Sequence, residues 1–266
     1  MTASTPTRTS RSFDLGDGLT LAVDEQGDAG GSGVLLLHGG AGPRSVAGLA
    51  DALAEHAYVL TPTHPGFDGQ PRPDWMDSVA DLADAYLDLL DTLDLRDVLV
   101  AGNSIGGWIA AEMALRDTQG RIGRLVVLNG VGIRADDPIT DTSTLTPTEM
   151  GELAFYNPAY RLNPAVLTDE QRAGMIANQR TLAVYAGQDM YDPKLRRRLA
   201  RVTVPVLVVW GEQDGIAPVG YGRAFADSFA RGSFQLISEA GHFPHIEQPA
   251  QTLTAIGEFV NDGRSS

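Results

Sequence analysis

One serine in the chain stands where it could act as a nucleophile. Gly102-Asn103-Ser104-Ile105-Gly106 matches G-x-S-x-G, and Gly107 follows it. An apolar run over 98–101 precedes the motif and a helical pattern over 105–116 follows, the strand-turn-helix context the motif requires. A serine on a very tight turn projects its hydroxyl, and side chains at the flanking glycines would clash with the turn and a neighbouring strand. A helix starting at the next residue offers free N–H groups and its positive dipole end to a developing oxyanion.

A serine hydroxyl needs a base. Of His38, His56, His64, His242 and His245, only the last two lie near the C-terminal end. His242 follows Gly241 on a loop between an expected strand and the last helix, and it is the expected general base. His245 is expected to orient that loop or face solvent. The base needs an acid to set its tautomer. Asp214, in Gly211-Glu212-Gln213-Asp214-Gly215, lies beyond a buried strand and before a helix. Glu212 competes locally, and capping the helix is the other role open to Asp214. The order Ser104, Asp214, His242 is the order expected of this architecture. An oxyanion needs two N–H donors, expected from Ile105 and from Gly40 in His38-Gly39-Gly40-Ala41-Gly42-Pro43, with Ala41 as the alternate. His38 is expected to hold that loop. The loop is not a phosphate cradle, because no Gly-Lys-Ser/Thr follows.

Apolar patterning predicts the elements that must position these groups. Two short strands over 14–26 join at Gly16-Asp17-Gly18, and further strands fall at 34–37, 58–61, 98–101, 125–128, 204–210 and 234–237. Helical spacing predicts helices over 45–56, 77–93, 105–116, 217–229 and 249–260. Alternation of this kind implies an α/β fold around a mostly parallel sheet. The rhythm stops over 133–199, which holds five prolines and helical stretches, the longest over 168–185. That segment reads as a helical cap inserted into a core made of 13–132 and 200–266. Residues 1–12, rich in Thr, Ser and Arg, read as a disordered tail without the apolar stretch of a secretory signal.

Composition narrows the function classes. The 266 residues carry a formal net charge of −14, which opposes binding to nucleic acid. The chain has no cysteine, so thiolate nucleophiles, disulfides and cysteine-held metals are excluded, and a reducing cytoplasm fits. No run nears the roughly 18 apolar residues of a membrane span. No metal or organic cofactor is implied. The expected partner is a small, apolar ester or lactone, and a homodimer stays open.

Together, HGGAGP, GNSIGG, GEQDGIAP and AGHFPHIEQP resemble the α/β-hydrolase superfamily over nearly the whole chain. The resemblance implies a central eight-stranded sheet with the active site under a cap inserted after the sixth strand. Asn103 before the serine and the glycine-rich loop are similar to the meta-cleavage-product (carbon–carbon bond) hydrolases. Phe243 stands where those enzymes usually carry tryptophan. Met175 falls where their cap arginine lies, with Arg172 or Arg180 as substitutes. His64 stands where the superfamily often has an acid before Pro-Gly. Asn103, Phe155, Tyr156, Met175, Tyr185 and Phe243 are the expected pocket residues. The expected activity is cleavage of a carboxylic ester or lactone through an acyl-enzyme on Ser104. The alternatives are carbon–carbon hydrolysis with the same residues, and a non-catalytic ligand-binding protein.

Overall fold

The continuous apolar runs become the inner strands of one sheet in the computed structural model, which describes residues 8–142 and 144–262. The strands are β1 (Thr9–Gly16), β2 (Leu19–Gln26), β3 (Gly33–Leu37), β4 (Tyr58–Thr63), β5 (Val98–Asn103), β6 (Ile122–Leu128), β7 (Val206–Gly211) and β8 (Gly232–Ile237). They form an eight-stranded sheet in the order β1-β2-β4-β3-β5-β6-β7-β8. β1 and β2 pair antiparallel, as do β2 and β4, and the other pairings are parallel.

Alternate strand residues go to opposite faces, as the two-residue period dictates. Leu35, Leu37, Val100, Val127 and Val208 meet α2 (Val79–Thr92), α3 (Ile105–Arg116) and α7 (Val219–Ala226). Leu36, Ala101, Val126 and Val209 meet α1 (Ala47–Leu53) and α9 (Pro249–Asp262). Cover on both faces explains why β3 and β7 are buried at every position. α2 shows the local logic of a helix here. Ser78 and Asp81 close a capping box, and Val79, Leu82, Tyr86 and Leu89 turn inward at helical spacing.

Two expectations shift. β1 starts at Thr9, so residues 9–12 of the expected tail pair with β2, through Thr9–Glu25 and Ser10–Asp24. Those residues carry no apolar signal of their own, and the edge of β2 supplies their order. Residues 1–7 of that tail lie outside the described residues. The helix expected over 45–56 splits into a 3₁₀ turn, Pro43–Val46, and α1.

Between β6 and β7 the chain is helical, with α4 (Pro147–Ala154), α5 (Asp169–Ala186) and α6 (Leu195–Arg198). Capping boxes at Thr146 and Thr168 start α4 and α5. An isolated bridge between Gly132 and Tyr191 ties the insertion's two ends together. A short helix, α8 (Pro244–Glu247), precedes α9. Among the described residues no helix is long and apolar enough to cross a membrane. The parallel strands end at one edge of the sheet, so the loops after β3, β5, β6, β7 and β8 gather there.

Candidate active site

Ser104 sits between β5 and α3 at φ 57 and ψ −121, a conformation L-residues rarely adopt. Such strain costs on the order of 1–3 kcal/mol and persists only where the surroundings enforce it. Here they do. A Cβ on Gly102 would lie 2.2 Å from the Gly106 carbonyl, and one on Gly106 would lie 2.4 Å from Leu37 O. Ser104 N–H donates to Leu128 O at 3.0 Å, which holds the turn onto the end of β6. The serine itself is half-buried.

Asp214 and His242 come together from the loops after β7 and β8. His242 Nδ1 and Asp214 Oδ2 are 2.8 Å apart, with both residues buried. The carboxylate can only accept, so His242 Nδ1 carries the proton and Nε2 is left as the basic nitrogen. Asp214 Oδ2 also accepts from Asn129 Nδ2 at 2.6 Å, and Oδ1 accepts from the N–H groups of Ile216 (2.8 Å) and Ala217 (3.0 Å). One oxygen therefore caps the following turn while the other faces the imidazole. Glu212, the local competitor, is exposed. Asn129, absent from the sequence expectations, stands at the end of β6 with φ 44, and its Oδ1 accepts from Gly211 N–H. Its only sequence signal was an Asn-Gly pair, which reads as an ordinary turn.

The glycine loop after β3 lies against the serine turn. A Cβ on Gly39 would stand 3.0 Å from Ser104 Cβ, and one on Gly40 would stand 2.9 Å from Leu182 Cδ2 of α5. Gly40 is thus sandwiched between the sheet edge and the insertion. As the first residue of α3, Ile105 has an N–H with no partner four residues earlier. His38 Nδ1 donates to Gly39 O at 2.7 Å and its Nε2 accepts from His64 N–H at 3.0 Å. His64 Nε2 donates to His38 O at 2.9 Å, and the Tyr86 hydroxyl donates to His64 Nδ1. Both rings are neutral by these assignments. Desolvation holds His38 down at about 4, against a weaker opposing hydrogen bond to Gly39. Desolvation, then repulsion from His38, holds His64 well below its ordinary value. A second histidine can therefore replace the usual acid before Pro65-Gly66 and still brace the loop.

His245 does not face solvent. Its Nε2 donates to Ser45 O at 3.0 Å, tying the His242 loop to the turn after Gly42. Burial first, opposed by that bond, pushes its pKa down to about 4.

The expected pocket residues divide. Phe243 lies edge-on to His242 with ring centroids 5.4 Å apart, and Phe155 stacks on Phe243 at 5.0 Å. Asn103 goes elsewhere: it is fully buried, and its amide donates to Leu128 O (3.0 Å) and His242 O (3.1 Å). It ties the His242 loop to the end of β6. Tyr185 is buried, and its hydroxyl donates to Pro65 O at 2.9 Å, so it docks α5 onto the core. Asn178 and Thr181 do the same from one helix face, to Asp68 and Gly66. Met175 lies one turn before Asn178, beyond that dock, and is 41% exposed. Tyr156 is 44% exposed and engages the core through its backbone.

Residues 34–255 match the family model described as the alpha/beta hydrolase family. A 2-hydroxymuconate semialdehyde hydrolase of a Pseudomonas species is 25% identical, over 88% of this chain and 88% of its own. A bacterial membrane phospholipase A superposes with a TM-score of 0.78 at 22% identity, over 97% of this chain and 87% of that one. A 2-hydroxy-6-oxo-6-phenylhexa-2,4-dienoate hydrolase from a Rhodococcus species superposes at 0.79 with 20% identity, over 97% and 100%.

Proposed function

We propose, from the premise that this chain belongs to the alpha/beta hydrolase family, that it is a serine hydrolase cleaving a small carboxylic ester or lactone. Ser104 attacks the carbonyl carbon while His242 Nε2 takes the hydroxyl proton. Asp214 holds the imidazole and stabilises the cation it becomes. The N–H groups of Gly40 and Ile105 receive the oxyanion, each such donor contributing roughly 2.7–4 kcal/mol in serine hydrolases where it has been measured. His242 returns the proton to the leaving alcohol, and water then cleaves the acyl-enzyme by the same route. Every step uses groups of the chain itself.

The observation that carries this reading is the 2.8 Å contact of His242 with Asp214, on a loop that Asn103 ties to the turn where Ser104 is held at φ 57. An apolar cluster at His242 supports a neutral acyl group. Phe155, Phe243, Ile216 and Leu153 cluster beside the base. The guanidinium groups of the insertion's arginines have other partners, Arg161 at Phe155 O and Arg172 at Pro164 O and Asp169, while Arg180 is exposed. Met175, at the place of a family cap arginine, offers a carboxylate nothing. Carbon–carbon hydrolysis is the second reading, favoured by the Pseudomonas relative, a 2-hydroxymuconate semialdehyde hydrolase.

The test is intact-mass labelling with a fluorophosphonate, followed by turnover of p-nitrophenyl esters, lactones and a 2-hydroxy-6-oxohexadienoate. One adduct on wild type, absent from Ser104→Ala and His242→Ala, with turnover confined to esters or lactones, is the expected result. Faster turnover of the dienoate would install the second reading. A folded wild type that takes no adduct would sink both.

A further inference from the structure

We propose that Glu247 and the last carbonyls of α4 form one latch, which fastens the helical insertion to the loops carrying Asp214 and His242. Glu247 is then a positioning residue for the base. Only the consequence for turnover rests on the serine-hydrolase reading.

Glu247 ends α8 and is 7% exposed. A buried carboxylate needs partners, and a cation is the usual one. Among the described residues its partners are backbone N–H groups instead. Oε2 accepts from Gly241, the residue before His242, at 2.6 Å, and from Tyr156 at 3.4 Å. Oε1 accepts from Asn157 at 2.7 Å. One side chain thus joins the base loop to the segment leaving α4.

The end of α4 completes the junction. The last carbonyls of a helix lack partners within it. Here Leu153 O accepts from Gly215 N–H at 3.0 Å, and Ala154 O accepts from His242 N–H at 2.8 Å. The first bond grips the acid loop beside Asp214 and the second grips the base itself. Both loops carry glycine where α4 presses on them. A Cβ on Gly241 would stand 2.3 Å from Ala154 O, and one on Gly215 would stand 2.9 Å from Leu153 Cδ2. The insertion is therefore wedged between the two loops at this end, rather than resting on them. Its registry and the approach of His242 to Asp214 are set by the same contacts.

Glutamate is required because both oxygens accept. Glutamine would turn an NH2 group toward one of the N–H donors. Glu247→Gln should therefore release one arm of the latch. Asn157→Pro should release the insertion arm alone, since proline lacks the N–H, and Asn157 already holds φ −83. Asn157→Ala is its control, because both variants lose the side-chain contact to Ala159 N–H while alanine keeps its own N–H.

We expect Glu247→Gln, and Asn157→Pro measured against Asn157→Ala, to lower kcat for ester hydrolysis about tenfold with KM changed less than about twofold, as loss of base alignment requires. The downfield proton resonance of His242 Nδ1–H, assigned by its absence from His242→Ala, should broaden or vanish in both variants. Folded variants with wild-type kcat and an unchanged resonance would overturn the latch. If Glu247→Gln does not fold, Asn157→Pro decides alone. Should wild type turn over no ester, the functional reading fails by itself, and the resonance still decides the latch.

Discussion

Asp214 has no lone pair to spare. It accepts from Ile216, Ala217, Asn129 and His242, so one carboxylate caps a turn and holds an imidazole at once. Asp214→Asn would set a donor against a donor. The imidazole would then lose the partner that keeps its Nδ1 protonated. We expect kcat for ester hydrolysis to fall by roughly 10⁴, the scale seen when a triad aspartate becomes asparagine elsewhere. Asn129→Ala removes one charge-assisted bond and leaves three, so a loss of about tenfold is expected, equivalent to ~1.4 kcal/mol. Both are read from initial rates on proteins of unchanged circular dichroism. An Asn129→Ala rate equal to wild type would mean that the carboxylate holds its place without that amide.

The turn between β5 and α3 depends on how closely α3 approaches β3. Gly106→Ala would drive a methyl group to 2.4 Å from Leu37 O, and neither backbone segment can yield cheaply. A loss of about 1–3 kcal/mol in stability is expected from overpacking of this kind. The Tm should fall, and fluorophosphonate labelling should fall with it. Gly257 in α9 is the contrast: a Cβ there meets nothing within 4 Å. Gly257→Ala should raise stability by about 0.5–1 kcal/mol, because alanine loses less backbone freedom on joining a helix. Thermal melts of the two variants check both signs. The elements themselves were legible, since buried strands and amphipathic helices leave periodic marks. β1 was only half legible, because Thr9–Ser12 gain their order from β2 rather than from their own pattern.

Three buried histidines are expected to make the fold acid-sensitive. Burial holds His38 and His245 down at about 4 and drives His64 well below its ordinary value. The folded state therefore refuses protons that the unfolded chain takes up near pH 6.5. Their contribution to stability is complete above that pH and is lost as pH falls toward 4. Within the window each costs about 1.4 kcal/mol per pH unit. Melts from pH 7.5 to 4.5 should show Tm falling steeply below about pH 6. A flat profile would mean that these rings have other partners in acid. The same rings link the glycine loop, the turn before Pro65 and the base loop, so labelling should decline over the same range.

Local requirements wrote themselves into the chain. A serine at positive φ needs small neighbours, a strand before it and a helix after it, and all three are neighbours in sequence. That is why the α/β architecture, the serine turn and the loops bearing Asp214 and His242 could be read without coordinates. The contacts that hold those loops together join distant residues: 85 positions separate Asn129 from Asp214, and 139 separate Asn103 from His242. Tyr185 lies 120 positions from Pro65, and Glu247 lies 90 from Asn157. A hydrogen bond between two loops imposes no period and no spacing on either one. Asn103 and Tyr185 therefore looked like pocket residues, and Asn129 and Glu247 like nothing in particular, until the sheet edge brought their partners within reach.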